Sequence, residues 1–176
     1  MPNIPEIAKQ KASAGIQYLY KNFLRTGFAA HSLGNNELAF MLIKNLNKYY
    51  EDNPYNDYCI YNMGKDLSLN MTNFAVYEAL SIINHTGNLI ATDPLTLNLI
   101  CPVLGAKKYY YIYDLPILNF IDKSFSDLIK KNNVICFTRS KDYQKELKNR
   151  YNLSTHNILV ECFDINLIEE IVNEKV

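Results

Sequence analysis

The chain has 176 residues and a mass of 20.4 kDa, with 48% apolar and 20% charged residues, a size and composition that fit one domain and exclude a large two-domain enzyme. Eighteen basic and eighteen acidic residues cancel, so no overall field draws the protein to nucleic acid or to an anionic membrane, and either partner would need a local patch. No apolar run approaches the roughly 20 residues that span a bilayer, and Met1 to Gln10 carries acid and proline where a secretory signal needs a basic-then-apolar pattern, so the expected location is the cytoplasm.

From the N-terminus, Ile4 to Arg25 sets Ile7, Ala8, Ala12, Ile16, Leu19, Tyr20 and Phe23 at the three- and four-residue spacing of an amphipathic helix, ended by Gly27. A loop over Thr26 to Asn36 is expected next. Glu37 to Tyr50 then repeats the helical period through Leu38, Met41, Leu42, Leu46 and Tyr49 and closes at Asp52-Asn53-Pro54. Tyr58 to Met63 reads as a short apolar strand and Met71 to Asn84 as a helix. Asn88–Thr92, Tyr109–Tyr113, Val134–Phe137 and Asn157–Val160 are the further strands expected. Helices are expected over Pro94–Leu104, Phe120–Lys131, Lys141–Tyr151 and Ile165–Val176. About five apolar strands alternating with helices are the pattern of βαβ units. Right-handed crossovers then give a mostly parallel sheet covered on both faces, so the fold class is α/β, with residues 1–25 as an extra helix ahead of a domain over 26–176.

In an open parallel sheet the ligand crevice lies outside the carboxyl ends of the strands. Those ends read Asn62-Met63-Gly64-Lys65-Asp66, Thr92-Asp93-Pro94, Asp114-Leu115-Pro116, Thr138-Arg139-Ser140 and Glu161-Cys162-Phe163-Asp164. Asp93 before Pro94 and Ser140 before Lys141 also have the form of helix N-caps. Asp114 ends a strand without an immediate helix and is placed to meet a hydroxyl. Arg139, with the Thr138 and Ser140 hydroxyls, suits a phosphate or carboxylate, or else a surface salt bridge. The segment Gly27 to Glu37, which includes His31, Gly34 and Asn35, has glycine near both ends and leads into a helix, but it lacks the glycine patterns of dinucleotide and P-loop sites. His31 is a candidate base or ligand there, against the plainer reading of a solvated loop histidine. His85 at a helix end and His156 in a turn are not assigned to catalysis. The histidines and the cysteines Cys59, Cys101, Cys136 and Cys162 have no metal-ligand spacing, no cofactor is implied, and the cysteines read as reduced core residues. Lys107-Lys108 before Tyr109–Tyr113 mixes base and aromatic as single-strand binders do, but core packing explains it better.

The runs Asn88–Asp93, Lys108–Leu115, Val134–Ser140 and Glu161–Asp164 resemble glycosyltransferase-like proteins encoded by tailed bacteriophages, a likeness that covers residues 27 to 176. The resemblance implies a single Rossmann-like domain, similar to the N-terminal, acceptor-side half of a GT-B glycosyltransferase. It implies a sugar or nucleotide-sugar ligand at the strand ends, with His31, Asp93 and Asp114 facing the cleft in catalytic roles. Arg139, Ser140, Thr138, Gly64, Asn35 and Glu161 are the expected substrate-binding residues. The donor-binding half with its acidic motif has no counterpart in the chain, so a protein partner or a homo-oligomer would complete the cleft. The contrasting expectation is a non-catalytic α/β module with a phage structural or accessory role, docked through its N-terminal helix. A nucleotide-binding or nucleotide-degrading protein using the same crevice is the third.

Overall fold

The computed structural model of the protein describes residues 26–34, 36–53, 58–64, 66, 71–114 and 123–174. Seven strands form one parallel sheet: β1 (Thr26–Ala30), β2 (Tyr58–Asn62), β3 (Ala75–Glu78), β4 (Gly87–Ala91), β5 (Ala106–Ile112), β6 (Ile135–Thr138) and β7 (Thr155–Leu159). Their spatial order is β3-β2-β1-β4-β5-β6-β7, the Rossmann-like arrangement in which the chain winds outward in one direction from β1 and then returns to wind outward in the other. The helices are α1 (Glu37–Asp52), α2 (Pro94–Ile100), α3 (Lys123–Lys131), α4 (Lys141–Tyr151) and α5 (Ile165–Asn173), with a 3₁₀ helix over Ala79–Asn84.

Handedness decides which face each helix covers. A right-handed crossover from β1 toward β2 and one from β4 toward β5 must lie on opposite faces, because the strands advance in opposite directions across the sheet. Accordingly α1 buries Leu42, Ile43 and Leu46 on one face beside Phe28, Ile60, Ile90, Tyr109 and Tyr111, and α5 joins it there through Ile168 and Val172. The 3₁₀ helix, α2, α3 and α4 bury Ile82, Leu97, Ile100, Phe125, Ile129 and Leu147 on the other face beside Ala29, Cys59, Leu89, Tyr110 and Cys136. Each central strand is therefore buried on both sides, which is why it reads as an unbroken apolar run.

The sheet has seven strands where the sequence suggests five, and the two additional ones have separate causes. Thr26–Ala30, expected as a loop, is the central strand β1, paired to β2 through Phe28↔Ile60 and to β4 through Phe28↔Ile90. Gly27 does not end a helix; it sits inside this strand, where a Cβ would lie 2.8 Å from the Tyr61 ring and 3.1 Å from both His85 and Leu89. Within Met71–Asn84, expected as one helix, lie the edge strand β3 and the 3₁₀ helix. His85 caps that 3₁₀ helix and is buried, with Nε2 donating to the Asn88 carbonyl at 3.0 Å and Nδ1 3.0 Å from the Tyr61 hydroxyl. His156 lies in β7, not in a turn, with Nε2 2.9 Å from Glu174. The helix expected over Ile4 to Arg25 falls outside the described residues.

Two of the three buried tyrosines of β5 find a backbone acceptor, while the buried Tyr110 hydroxyl has no hydrogen-bond partner among the described residues. The Tyr111 hydroxyl donates to the Val160 carbonyl at 2.6 Å and that of Tyr109 to the Val172 carbonyl at 3.4 Å, while Lys108 donates to the Cys101 carbonyl at 2.6 Å, so this stretch is core, as its packing reading holds. Tyr58 likewise donates to the Glu169 carboxylate of α5. No helix among the described residues is long and apolar enough to cross a membrane.

Two predictions follow from this packing. Gly27→Ala places a methyl against a ring, an imidazole and a leucine at once, an overpacking that costs about 1–3 kcal/mol, readable as a lower denaturant midpoint at unchanged slope. Cys59, Cys101 and Cys136 are buried, Cys136 with its thiol pushed up to about 12 by burial, whereas Cys162 is exposed. A chromogenic disulfide reagent at pH 8 should therefore titrate one thiol in the native chain and all four in denaturant; two or more fast native thiols would contradict the packing.

Candidate functional site

The sheet order puts its reversal between β1 and β4, and the loops leaving these two strands diverge there. Thr92, just past the last paired residue of β4, donates through Oγ1 to the Ala29 carbonyl at 2.9 Å and pins the two strands together at the base of the split. Above it lies an open cavity of about 530 Å³, lined by His31, Ser32, Asn36, Leu38, Asp93, Pro94 and Leu95. That volume lies within the usual range for small-ligand sites, roughly 300–1,000 Å³.

One wall is the loop from β1 to α1, and its shape is fixed by contacts within 66 residues of the N-terminus. Ser32 Oγ accepts from the Gly34 amide at 3.0 Å and donates to Asp66 Oδ2 at 3.0 Å, and Asn36 caps α1 by accepting from the Ala39 amide at 2.8 Å. Gly64, at the end of β2, lies against the same loop: a Cβ there would be 3.0 Å from the His31 carbonyl oxygen and 3.4 Å from Ser32 Cα. Gly64 thus lets the loop close down on β2, and it does not line the cavity. His31 itself is exposed, and its side chain makes no hydrogen bond among the described residues.

The other wall is the start of α2. Asp93 Oδ1 accepts from the Leu95 and Thr96 amides at 2.8 and 3.0 Å, and Thr96 Oγ1 accepts from the Asp93 amide at 3.0 Å, a complete capping box with Pro94 in the first turn. The cap reading of Asp93 is therefore borne out, and the same residue lines the cavity. Leu95 is 54% exposed and Leu38 half-buried, so the cavity has an apolar surface between polar rims.

Asp114, Thr138, Arg139 and Ser140 form a second cluster, at the ends of β5 and β6. The Arg139 guanidinium lies over the Tyr113 ring at 4.9 Å and the Tyr143 ring at 5.3 Å and donates to the Tyr143 hydroxyl at 2.9 Å. It makes no ion pair among the described residues, so the surface salt bridge considered for it is not formed there. Tyr113 in turn donates to Glu37 Oε1 at 3.0 Å, and burial, followed by that hydrogen bond, pushes its phenol up, keeping it a donor. Because Glu37 follows Asn36 in the chain, this contact ties the arginine cluster to the rim of the cavity. Thr138 is fully buried and donates to the Ser140 carbonyl at 3.1 Å, so it is not a ligand contact, and Ser140 is consumed as the cap of α4.

Glu161 stands apart from both clusters. It lines a smaller, polar cavity of about 290 Å³ with Asn45, Lys48, Asp52, Cys162 and Asp164, between α1 and the turn before α5. In that turn Cys162 and Phe163 both take left-handed backbone angles, φ 48° and 58°, and Asn45 donates to the Cys162 carbonyl. Asn35 lies outside the described residues. Ser32, Asn36, Leu38 and Leu95 are the cavity-lining residues that motif reading does not single out. Their signal was the capping pattern Asn36–Ala39, which fixes where α1 begins and hence which residues face β4. Among the described residues no group of three or more His, Cys, Asp or Glu side chains is arranged to hold a metal ion. In comparisons with known proteins, no family model, curated protein or solved structure matches this chain.

Removing the cap tests this wall. Asp93→Ala should cost about 0.5–2 kcal/mol in denaturant unfolding and Asp93→Asn distinctly less, since asparagine keeps the acceptor; equal losses would mean that the charge rather than the cap matters.

Proposed function

We propose that this protein binds a sugar or nucleotide sugar in the crevice between β1 and β4, as a glycosyltransferase-like half domain. The observation that carries the reading is the cavity at the sheet reversal, with hydroxyl, amide, imidazole and carboxylate groups on its rims and aliphatic side chains between them. A pyranose has the matching character, a polar edge of hydroxyls around apolar C–H faces, so His31, Ser32, Asn36 and Asp93 meet the hydroxyls while Leu38, Pro94 and Leu95 cover a C–H face. Arg139 stands at the end of β6, two strands from β4 and therefore roughly 10 Å away at the usual strand spacing, a reach that suits the diphosphate of a nucleotide sugar.

The carboxylates favour binding over acid–base chemistry by this chain alone. Asp93 spends one oxygen on two backbone amides, and Asp114 lies in the arginine cluster outside the cavity lining. His31 is the cavity residue with an uncommitted side chain, and in a completed cleft it is the group placed to take a proton from an acceptor hydroxyl. Glycosyl transfer would then need the donor-binding half of the cleft, which the described residues do not contain.

The test is a thermal-shift and calorimetric screen of the whole chain against nucleotide sugars, nucleotides and simple sugars. A ligand at a hundred times its Kd should stabilise the protein by about 2.7 kcal/mol. Leu95→Asp, an exposed position where the fold tolerates charge, should abolish that stabilisation. Arg139→Ala should weaken nucleotide sugars and leave simple sugars unchanged. A folded sample that no ligand stabilises would overturn the proposal.

A further inference from the structure

The sheet ends at β3 on one side and at β7 on the other, and the two edges are built differently. At β7 the pairing with β6 slips, Cys136 facing Thr155 and Thr138 facing Leu159, an irregularity that breaks the row of outward backbone groups. β3 pairs with β2 without a break from Cys59↔Ala75 to Asn62↔Glu78, and among the described residues nothing pairs with its outer side. Its sequence, Ala-Val-Tyr-Glu, has neither the proline nor the lysine that often blunts such an edge. Exposed apolar surface gathers there as well. Of the eight exposed large apolar side chains among the described residues, five lie on β3 or on segments beside it. They are Val76 at 41%, Leu80 and Ile83 in the 3₁₀ helix that leaves it, Met71 just before it, and Phe40 of α1, which shares a groove of about 310 Å³ with Met71.

The two ends of β3 also differ in charge on one face of the sheet. Phe74 and Ile60, the register partner of Val76, belong to the core layer beneath α1, so Phe74, Val76 and Glu78 face the α1 side. Glu78 stands there at the carboxyl end, exposed and without an ion pair among the described residues. At the amino end, Asn47 of α1 accepts from the Asn73 amide at 2.9 Å and donates to the Met71 carbonyl at 2.7 Å. These bonds hold α1 against that end, where the exposed Lys44 and Lys48 line the groove against one acid, Glu51. We infer that β3 pairs with β3 of a second copy, antiparallel about a two-fold axis normal to the sheet and centred on Val76. Such an axis keeps the α1 faces of both copies on one side and sets Ala75 across from Tyr77 of the other copy. It sets Glu78 across from Phe74, on the face and at the end where the other copy's Lys44 and Lys48 stand. Leu80, which follows Glu78, comes to the same end of the joined strands as the other copy's Met71. Every contact is then made twice, as an isologous interface requires, and the two Glu78 carboxylates are kept at opposite ends. The crevice between β1 and β4 lies two strands away and stays open, so the pairing is independent of the ligand.

Sedimentation equilibrium of the whole chain over a dilution series tests this. The native protein should pass from 20.4 kDa to twice that mass as its concentration rises. Val76→Lys puts on the edge a residue that natural edge strands use against pairing, and Leu80→Asp charges an exposed position. Each should raise the dissociation constant about tenfold or more with the far-UV circular dichroism unchanged. Glu78→Lys alone and Lys44→Glu/Lys48→Glu alone should each weaken the dimer, and the three changes together should recover most of the loss, a compensation that a contact elsewhere on the surface would not show. A native chain that stays monomeric across the series would overturn the inference. So would a dimer whose dissociation constant none of these substitutions moves.

Discussion

The pairing of β1 with both β2 and β4 is the constraint on which the rest of the molecule depends. Right-handed crossovers that leave β1 in one direction and β4, β5 and β6 in the other lie on opposite faces, which assigns α1 to one face and α2, α3 and α4 to the other, with α5 returning to the face of α1. The divergence of those crossovers opens the crevice at the carboxyl end of β1, so the position of the cavity follows from topology before any side chain is considered. Side chains decide only what the cavity is made of. Thr92 closes its base, Ser32 and Asp66 hold one wall, and the Asp93 capping box holds the other.

Volume is exchanged across the sheet rather than shared evenly. β1 is Thr-Gly-Phe-Ala-Ala, the smallest of the strands, and its neighbours carry Tyr58, Tyr61 and Leu89, with Tyr109, Tyr110 and Tyr111 one strand further on. Interior packing density is nearly constant, so large rings reaching over a strand require small residues within it. The close approach of Tyr61, His85 and Leu89 to Gly27 is that requirement at its limit.

This exchange also explains what the sequence conceals. The α/β class and the strands from Tyr58 onward other than β3 were legible because parallel strands buried on both faces carry long apolar side chains in succession. β1 was not, since its glycine and alanines look like a loop when read without the rings that cover them. β3 was hidden differently: it is a four-residue edge strand with three of its residues exposed, and it borrows its apolar period from the adjoining 3₁₀ helix. At the site, caps were legible because Asp93-Pro94 and Ser140-Lys141 are local patterns. The arginine cluster was not, because Glu37, Tyr113, Arg139 and Tyr143 come from four elements and meet only through the fold.

The division of polar groups between structure and solvent gives the site its character. Thr92, Thr96, Thr138, Ser140 and one oxygen of Asp93 are spent on backbone partners that keep the loops in place. His31 and the remaining donors of Arg139 are not spent in this way, and they stand at opposite ends of the line that runs from the β1–β4 crevice to the end of β6. Under the proposed function, the aliphatic surface at the crevice would meet the amphipathic end of the ligand and the Arg139 guanidinium its anionic end. Walls already held by these hydrogen bonds would lose little ordering entropy on binding, so the proposed ligand would be held through preorganisation rather than through closure.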